Sequence, residues 1–463
     1  MSDISQNSNG MEKIVSLCKR RGFVYQGSEI YGGLAGTFDY GHYGSKLAHN
    51  IKELWWEHFV ESREEMFGLT SATLMPEAVW KASGHLSGFT DPMVECVKCH
   101  HQFRADQLPP LPRLNLEDLK KVRPCPDCGG ALGEEKIFNL LLPVQLGSVE
   151  GKSNTAYLRG EIAQGMFVNF KNYIDTMHPD LPFGIAQIGR AYRNEIAPRD
   201  FLFRVREFDL MEFEYFVREA DWEKCFEMWR QEMWKWVERI GIDKSKVHEL
   251  EVLPEDRAHY SKRTIDFEFE YPFGKKELYG LAYRTDYDLK KHSVESGVDL
   301  SFFDEAKKER FIPHVIEPTF GHGRTLLAVL LSAYREDVMN GETRSYLALK
   351  PAVAPVKVAV FPLLKNKPEL VGKAREVFVT LKKEFGAVEF DDNGNIGKRY
   401  RRQDEIGTIV AVTVDFETLD NNTVTLRDRD SGKQIRVKIA KLVEIISEII
   451  KGKAFSEFPP NSK

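Results

Sequence analysis

The sequence lacks the features that would direct the chain into or across a membrane. It has no run of about 18 apolar residues, so no transmembrane helix is expected. Its N-terminal stretch MSDISQNSNG is polar and has no apolar segment of the kind found in secretory signals. Six cysteines among 463 residues are too few for a disulfide framework. We therefore expect a soluble, cytoplasmic protein.

Two further absences narrow the function. The net charge of −5 argues against a chain coated with nucleic acid, although it is compatible with a local basic surface. The glycine-rich stretch Tyr31–Gly44 is not followed by the GK[ST] signature of a phosphate-binding loop, and it predicts turns. The length predicts two to four domains.

The most informative stretch that is present, Gly189–Phe216, predicts two antiparallel strands joined by a loop. Side chains alternate between the faces of a sheet, so Arg193 and Glu195 share one face. On the return strand, two arginines, one aromatic residue and two acids share a face: Arg204, Arg206, Phe208, Glu212 and Glu214. Such a face suits a planar, anionic ligand such as a nucleotide. A solvated hairpin with cross-strand charge pairs is the alternative, and the hairpin alone leaves both open.

A second segment also favours an anion. The residues Gly321-His322-Gly323-Arg324 lead into an apolar helix, so Arg324 is expected near the helix N-terminus. The helix macrodipole disfavours a cation at that position. A phosphate docked at the same helix end would explain the arginine, because helix N-termini favour anions.

The helix predicted over Ser45–Glu65 has an unusually broad apolar face. Large apolar side chains recur on it at helical spacing: Leu47, Ile51, Leu54, Trp55 and Phe59. A face of this kind either packs into the core or forms a dimer interface, and the sequence leaves both readings open.

Four of the cysteines have the spacing of a metal site. Cys96-x-x-Cys99 is followed, after 25 residues, by Cys125-x-x-Cys128-Gly-Gly. The pattern resembles a zinc ribbon, in which each pair supplies two thiolates to a tetrahedral Zn²⁺. His100 and His101 are possible substitutes for a cysteine, and four unliganded cysteines are the alternative. The other two, Cys18 and Cys225, lie in helical patterns and are expected to be buried thiols.

The C-terminal part of the chain has a different pattern. Pro351–Pro355 predicts a linker, beyond which strands and helices alternate as in a compact α/β domain. That domain carries a basic run with one aromatic residue: Lys398, Arg399, Tyr400, Arg401 and Arg402. The run suits a nucleic-acid backbone with one stacked base. A solvated basic turn is the alternative.

Together these segments resemble the class II aminoacyl-tRNA synthetases, and most closely the homodimeric glycyl-tRNA synthetases. RNE and FRVREF match class motif 2, EPTFGHGR at 317–324 matches motif 3, and the helix ending before Ala72–Pro76 is similar to motif 1. Several stretches are particular to the glycyl enzymes: SEIYGGL, VWKASGH followed by FTDP, FRADQL, YLRGEIAQG, EFDLMEFEYF, ELYGLAYRTDYDL and IGKRYRRQDEIGT.

The resemblance implies an α+β catalytic domain over residues 11–350, built on an antiparallel sheet flanked by helices. Motifs 1, 2 and 3 are expected at about 45–76, 189–216 and 316–336, with a zinc-ribbon-like arm inserted at 94–132. A C-terminal α/β anticodon-binding domain is expected over 351–455. Residues 1–10 are expected to be disordered, and residues 456–463 to form a tail.

The resemblance also implies a reaction. A glycine–tRNA ligase activates glycine with ATP to glycyl-adenylate, releases pyrophosphate, and transfers glycine to the 3′ end of tRNA(Gly). The implied partners are glycine, ATP with Mg²⁺, tRNA(Gly), and a second copy of the chain bound through the motif 1 region. A structural Zn²⁺ is expected at the four cysteines.

Residue roles follow from the matched motifs. The resemblance implies that Arg193, Arg324 and Glu317 are catalytic. The implied ATP site consists of Arg193, Asn194, Glu195, Phe203, Arg204, Val205, Arg206, Glu207, Phe208, Glu277, Leu278, Gly321, His322, Gly323 and Arg324. The implied glycine site consists of Arg104, Glu161, Phe208, Met211, Glu212, Arg284, Glu317 and Thr319. The tRNA contacts are expected at Lys398, Arg399, Arg401 and Arg402.

Within these sets the resemblance gives particular roles. Arg193 is expected at the α-phosphate and the amino-acid carboxylate, and Phe208 under the adenine. Arg324 is expected at the terminal phosphate. The acids expected near Mg²⁺ and ATP are Glu277 and Glu317, and the groups expected around the glycine ammonium are Glu161, Glu212 and the hydroxyl of Thr319.

The chain departs from the usual glycyl pattern at three positions. Gly160 stands where proline is usual, Ile162 where a small hydroxyl residue is usual, and Thr319 where serine is usual. Thr319 keeps the hydroxyl and narrows the pocket by a methyl group, which is compatible with glycine.

Two rival functions are considered. One is another class II synthetase with the same type of C-terminal domain, such as a threonyl or prolyl enzyme. EFDLMEFEYF and the lack of an editing-sized insertion count against it. The other is a catalytically silent relative that only binds RNA, and the presence of Arg193, Glu195, Phe208 and Arg324 argues against that.

Overall fold

The first part of the chain consists of helices and short strands that lead into the motif 1 region. The computed structural model describes residues 3–105, 108, 123–147, 154–339, 341–458 and 461–462. Its first elements are α1 (Asp3–Arg21), β1 (Val24–Gln26), β2 (Phe38–Tyr40), α2 (His42–Trp56), β3 (Met66–Leu69), β4 (Leu74–Pro76), α3 (Glu77–Ala82) and α4 (His85–Gly88). Helix α1 starts at Asp3, so the expected disordered tail is helical from that residue on. No helix in the described ranges is long and apolar enough to cross a membrane.

The inserted arm contains a small antiparallel sheet. Its strands are β5 (Thr90–Glu95), β6 (Gln102–Arg104) and β7 (Lys136–Asn139), with β5 in the middle. The next strands, β8 (Leu142–Leu146) and β9 (Asn154–Leu158), pair with each other, and β9 also pairs with β4. Much of the predicted 94–132 insertion lies outside the described residues.

A seven-stranded sheet forms the centre of the catalytic domain. The elements of this part are α5 (Ala163–Met177), β10 (Phe183–Tyr192), β11 (Glu207–Val217), α6 (Trp222–Ile240), β12 (Val247–Glu251), β13 (Arg263–Tyr271), β14 (Gly274–Thr285), α7 (Tyr287–Ser296), β15 (Phe302–Asp304), β16 (Glu309–Phe311), β17 (His314–Gly321), α8 (His322–Ala333), β18 (Tyr334–Met339) and β19 (Glu342–Leu347). The strand order is β12-β13-β14-β17-β11-β10-β3, and only the β10–β3 pair is parallel. The expected antiparallel α+β domain is confirmed.

The two faces of β11 belong to different layers because its side chains alternate. Met211, Phe213 and Tyr215 face the main core, which also contains the buried side chains of α2, α6 and α8. Leu210 and Phe216 face a second core cluster with α5. Phe208, Glu212 and Glu214 share this second face, so one face of β11 carries both core residues and acids.

The broad apolar face of α2 lies in the main core. Leu47, Ile51 and Trp55 have no exposed surface, and the Trp55 ring packs against Phe59 and Phe320 with centroids 5.4 and 5.9 Å away. Of the two readings of this helix, packing into the core is the one observed for these side chains.

The C-terminal domain is a six-stranded mixed sheet with helices. Its elements are β20 (Val358–Pro362), α9 (Pro368–Phe385), β21 (Val388–Phe390), α10 (Ile396–Ile406), β22 (Val410–Val414), α11 (Phe416–Asn421), β23 (Thr423–Asp428), β24 (Gln434–Lys438), α12 (Leu442–Ile450) and β25 (Asn461–Ser462). Strands β21, β20 and β22 are parallel, and β23 and β24 continue the sheet antiparallel. The expected α/β domain is confirmed, and part of the expected tail pairs with β24 as β25.

The two domains meet through packed residues and buried charges. Val353, Ala354 and Val356 have no exposed surface, so the segment predicted as a linker is packed against the core. The side-chain amide of Asn50 in α2 donates to the carbonyl oxygens of Val353 and Ala354, at 3.1 Å each. The segment therefore fixes the second domain against the first.

Candidate active site

Three strands bring the predicted residues of motifs 2 and 3 into register. In the β10–β11 pair, Ala191 lies opposite Phe208. In the β11–β17 pair, Glu212 lies opposite Thr319, which is also paired with Gly280 of β14. The acid and the hydroxyl expected at the glycine ammonium are therefore neighbours across the centre of the sheet.

These strands border a cavity of about 370 Å³. Its lining contains most of the predicted ATP and glycine residues: Glu161, Arg193, Glu195, Phe203, Arg204, Val205, Phe208, Glu212, Glu277, Leu278, Glu317, Thr319, Gly321, Gly323 and Arg324. The interpretation of the Gly189–Phe216 hairpin as part of a nucleotide site is thus supported by a cavity of suitable composition.

One end of the cavity carries an arginine beside two acids. Arg324, in the first turn of α8, forms an ion pair with Glu277 at 3.1 Å and stacks on the Phe203 ring, 4.4 Å from its centroid. The charge of Arg324 lowers the pKa of Glu277. Next to them on β13, burial raises the pKa of Asp266 to about 7, and the neighbouring Glu277 and Glu268 add to this effect. Acids beside a cation at a helix N-terminus fit a phosphate group that arrives with a divalent ion.

Arg193 lines the cavity and lies between two aromatic rings. Its guanidinium carbon is 5.1 Å from the Phe89 ring centroid and 5.2 Å from that of Phe208. Its Nε donates a hydrogen bond to the carbonyl oxygen of Gly160 at 3.0 Å. The arginine is therefore fixed in position while it lines the cavity.

The other end of the cavity is acidic and buried. Oxygens of Glu212, Glu214 and Glu317 lie within 4.8 Å of one another, and all three residues are buried. The hydroxyl of Thr319 donates to one oxygen of Glu212 at 2.8 Å, while the other oxygen of Glu212 and both oxygens of Glu214 have no hydrogen-bond partner. Unpartnered buried oxygens in a carboxylate cluster fit a cationic ligand.

The buried Arg284 offsets part of this negative charge. Arg284 has no exposed surface and donates to Glu317 at 2.6 Å and to Asp288 at 2.8 Å. Burial raises the pKa of Glu317 to about 7, with Arg284 opposing the effect. Burial also raises the pKa of Glu212, and the nearby Glu317 and Glu161 raise it further. An ammonium group bound here would lower these pKa values by supplying the missing positive charge.

Three of the predicted site residues lie elsewhere. Met211 belongs to the main core on the opposite face of β11, because side chains alternate along the strand and Met211 directly precedes Glu212. The imidazole of His322 points into the same core and bonds to the carbonyl oxygen of Ala48 at 3.1 Å. The side chain of Glu207 is exposed and pairs with Arg190. The structure thus contradicts direct ligand contacts for these three side chains.

Three others support the motif 2 loop or the arm. The Nε of Arg206 donates to the carbonyl oxygen of Glu195 at 2.8 Å, and its backbone N–H donates to Gly36. The backbone N–H of Asn194 donates to Leu140 at 2.8 Å. Arg104, at the end of β6, forms an ion pair with Asp91 at 2.9 Å. These residues lie outside the cavity lining.

Several residues near the cavity escaped the sequence reasoning. They are buried or half-buried polar and aromatic groups: His85, Phe89, Gln164, Tyr260, Asp266 and Asp288. Tyr260 lies over the guanidinium of Arg284 at 3.7 Å, and Gln164 donates to Asp288 at 3.1 Å. The stretches VWKASGH and FTDP contained two of them, but single residues within these stretches carried no periodic or spacing signal.

The four arm cysteines converge. The sulfur atoms of Cys96 and Cys128 are 3.5 Å apart, and those of Cys99 and Cys125 are 3.7 Å apart. Zn–S bonds of about 2.3 Å in a tetrahedron give sulfur separations of about 3.8 Å, so the donor set fits Zn²⁺. His100 and His101 are exposed and pair with Glu95 and Asp127. They therefore do not substitute for a cysteine in this arrangement.

The basic run of the C-terminal domain lies on helix α10 rather than in a turn. Arg399 is only 1% exposed and donates to the carbonyl oxygens of Asp392 and Gly394, so a direct tRNA contact by its side chain is contradicted. Arg401 pairs with Glu342, and Arg402 pairs with Asp391. Lys398 is exposed.

Comparison with known proteins agrees with this architecture. Residues 149–333 match the model of the tRNA synthetase class II core domain (G, H, P, S and T). Residues 357–449 match that of the anticodon binding domain. The sheet, the cavity and these two matches define a class II aminoacyl-tRNA synthetase.

Curated relatives narrow the class to one family. The glycine–tRNA ligase of Thermobifida fusca is 46% identical, and the match covers 97% of this chain and 100% of the relative. The glycine–tRNA ligase of Streptomyces coelicolor is 47% identical over 93% of this chain and 96% of its own length. That of Lachnospira eligens is 46% identical over 93% and 97%. The chain belongs to the glycine–tRNA ligase family.

Proposed function

We propose that this protein joins glycine to tRNA(Gly) in two steps at the cavity described above. Glycine first reacts with ATP to form glycyl-adenylate and pyrophosphate, and the glycyl group then passes to the 3′ end of the tRNA. The observation that supports this most directly is the pairing of Glu212 with Thr319 beside other buried acids at one end of a cavity whose other end carries Arg324. Such a cavity suits an ammonium group at one end and phosphates at the other.

Positioning and charge account for the activation step. Attack of the glycine carboxylate on the α-phosphate brings two anions together, and Arg193, which lines the same cavity as the buried acids and Arg324, would offset the repulsion between these anions. Arg324 would hold the terminal phosphates. Glu277 would hold the Mg²⁺ that accompanies ATP, which would neutralise phosphate charge. No covalent nucleophile from the protein is required.

The acidic end accounts for the choice of glycine. Glu161 and Glu212 would bind the ammonium group, since both line the cavity. Glycine offers no side chain to recognise, and positive recognition of one methylene gives only about 1–3 kcal/mol. Selection therefore rests on exclusion of larger side chains, to which the additional methyl group of Thr319 would contribute.

We further propose that the four arm cysteines bind one structural Zn²⁺. The sulfur separations of 3.5 and 3.7 Å support this. Purification without added zinc, followed by elemental analysis, should give about one zinc per chain. A Cys96→Ser and Cys99→Ser double variant should have lost it, and retention of zinc by that variant would contradict the assignment.

We also propose a homodimer that forms through the motif 1 region. The support is the edge position of β3 in the seven-stranded sheet, beside α5, on which Val168 is 39% and Met177 50% exposed. The hydroxyl of Tyr173 in α5 bonds to the Gly68 carbonyl oxygen and ties the two elements together. Light scattering should give twice the chain mass, and Val168→Asp should shift it towards that of the monomer. Because ATP and tRNA are its substrates, we expect the enzyme to act in the cytoplasm.

The function is tested by pyrophosphate exchange. Purified protein should incorporate labelled pyrophosphate into ATP only when glycine is present. Exchange that depends on threonine or proline would support a related synthetase of another specificity. No exchange with any amino acid, together with tRNA binding, would support a silent RNA-binding relative.

A further inference from the structure

We propose that His85 and Phe89 are positioning residues of this enzyme: His85 orients Glu161, and Phe89 orients Arg193. The proposal rests on the function proposed above, in which these two partners bind opposite ends of glycine. One short segment, α4 and the residue after it, would thereby set the distance between the ammonium site and the carboxylate site.

The first contact fixes the acid. The Nε2 of His85 lies 3.3 Å from one oxygen of Glu161, while Gln164 donates to the other oxygen at 2.8 Å. His85 is only 4% exposed, and its Nδ1 lies 2.8 Å from the buried hydroxyl of Ser83. A proton on Nε2 places a hydrogen-bond donor against this oxygen of Glu161. Glu161 is then held from both sides, which leaves it one orientation towards the cavity.

The second contact fixes the guanidinium group of Arg193. Phe89 and Phe208 hold the guanidinium of Arg193 between their rings, at 5.1 and 5.2 Å. Phe208 belongs to β11, which fixes its ring. Phe89 directly follows α4, so the position of its ring depends on that short segment. Stacking of this kind limits rotation of the arginine without occupying its hydrogen-bond donors.

The two contacts belong to one unit. The rings of His85 and Phe89 meet edge to face with centroids 5.2 Å apart. The side-chain amide of Asn139 donates to the carbonyl oxygen of His85 at 3.2 Å, and the backbone of Phe89 accepts from Leu140 at 3.0 Å. The segment is therefore anchored to β7, and a shift of either ring would move the other.

Gly160 makes room for this unit. A Cβ atom at that position would lie 2.8 Å from the Phe89 ring and 3.1 Å from Leu141. The same residue accepts the hydrogen bond of Arg193 through its carbonyl oxygen. The absence of a side chain at 160 thus lets Phe89 and Arg193 approach the same backbone.

The test separates orientation from packing. His85→Leu removes the hydrogen bond, and His85→Gln keeps a donor of similar reach. In pyrophosphate exchange, His85→Leu should raise the KM for glycine at least about tenfold and leave the KM for ATP within about twofold, because hydrogen bonds to charged groups contribute that much. His85→Gln should recover most of the loss. Ser87→Ala, at an exposed position of the same helix, is the matched control.

Phe89 is tested in parallel. Phe89→Leu should lower kcat about tenfold through misplacement of Arg193, and Phe89→Tyr should stay within about twofold of the wild type. Equal changes in the two KM values for His85→Leu, or a glutamine variant as poor as the leucine variant, would overturn the role of His85. Unchanged kcat in Phe89→Leu would overturn that of Phe89. A wild-type protein without glycine-dependent exchange would overturn the proposed function itself, and with it this inference.

Discussion

Glu212 combines two properties that rarely occur together in a folded protein. It is only 2% exposed, yet one of its carboxylate oxygens has no hydrogen-bond partner. Leaving a buried polar group unpaired costs about 1–3 kcal/mol, more for a charge. The fold tolerates this cost next to Glu214, whose oxygens also lack partners. The missing hydrogen bonds of these carboxylate oxygens are explained if a ligand with hydrogen-bond donors binds beside them.

Substitution of Glu212 should separate binding from stability. Glu212→Gln keeps the shape and removes the charge, so the KM for glycine in pyrophosphate exchange should rise at least about tenfold with little change in the KM for ATP. Because burial raises the pKa of Glu212, its ionised form is disfavoured in the folded protein, and the variant should unfold at the same temperature as the wild type or above it. Glu161→Gln should show the same split between the two substrates. Equal losses for glycine and ATP would contradict the assignment of either acid.

For single residues, the sequence predicted those roles that follow from strand alternation and from the family motifs. Alternation correctly put Phe208 and Glu212 on one face, and the same rule should have excluded Met211 from it. His322 was assigned by its neighbours in the motif, although its imidazole turns towards α2. His85 and Phe89 could not be found, because their contacts with Glu161 and Arg193 cross about 75 and 100 residues of chain, and no local pattern encodes them.

Among the elements, α2 shows how a helix face can be read in two ways. Its apolar residues are as suitable for a second copy of the chain as for the core, and periodicity alone does not distinguish them. The structure packs Trp55 against Phe59, Phe213 and Phe320 of the same chain. Two of these rings stand on β11 and β17, so the helix supports the strands that carry Glu212 and Glu317.

The role of α2 gives a stability prediction. Trp55→Ala should lower the free energy of unfolding by about 3–5 kcal/mol, because it leaves a cavity in the main core. Glu53→Ala, at an exposed position of the same helix, should change it by no more than about 0.5 kcal/mol. Chemical denaturation of both variants measures the difference. A Trp55 variant of normal stability that had become monomeric would instead support the interface reading.

The contact between α8 and α2 gives a pH dependence. Burial lowers the pKa of His322 from 6.5 to about 4. Between these values the unfolded chain binds a proton that the folded chain does not, so stability falls as the pH falls through this window. His322→Gln should therefore lose less stability than the wild type between about pH 7 and about pH 5, by about 1–3 kcal/mol.

The exposed His49 on α2 supplies the control for this measurement. His49→Gln should show the wild-type dependence of the unfolding midpoint on pH. If His322→Gln and the wild type lost equal stability on acidification, the protonation of another group would have to account for the effect.

For the elements, the sequence predicted type better than boundary or surroundings. The Gly189–Phe216 hairpin, the helix over Ser45–Glu65 and the alternating strands and helices of the C-terminal domain were predicted from the sequence pattern, and the helix is observed as α2 (His42–Trp56). The basic run was interpreted as a nucleic-acid contact, with a solvated turn as the alternative, yet it lies on α10 with Arg399 turned inward to backbone carbonyls. Burial of an arginine depends on acceptors from other segments, which only the tertiary structure supplies.

The molecule as a whole is joined by a buried charge network between its two domains. Asp404 of α10 accepts hydrogen bonds from Arg344 of β19 at 3.1 Å and from Arg427 of β23 at 2.8 Å. The three side chains are at most 5% exposed. Strand β19 pairs with β18, which directly follows α8. The network therefore connects the domain that matches anticodon-binding proteins to the helix that begins at the active site.

Breaking this network should separate the two steps of the proposed reaction. Asp404→Asn removes the negative charge that pairs with two buried guanidinium groups. Loss of one partner from a buried ion pair destabilises a fold by about 3–5 kcal/mol. Because α8 is also buried in the main core, the active site should keep its geometry, and glycine-dependent pyrophosphate exchange should stay within about twofold of the wild type. Aminoacylation of tRNA should fall at least about tenfold, since the tRNA must contact both domains in a fixed relation.

Asp420→Asn, at an exposed position of the same domain, should leave both activities intact. A parallel loss of exchange and aminoacylation in Asp404→Asn would mean that the catalytic domain itself depends on the second domain for its structure.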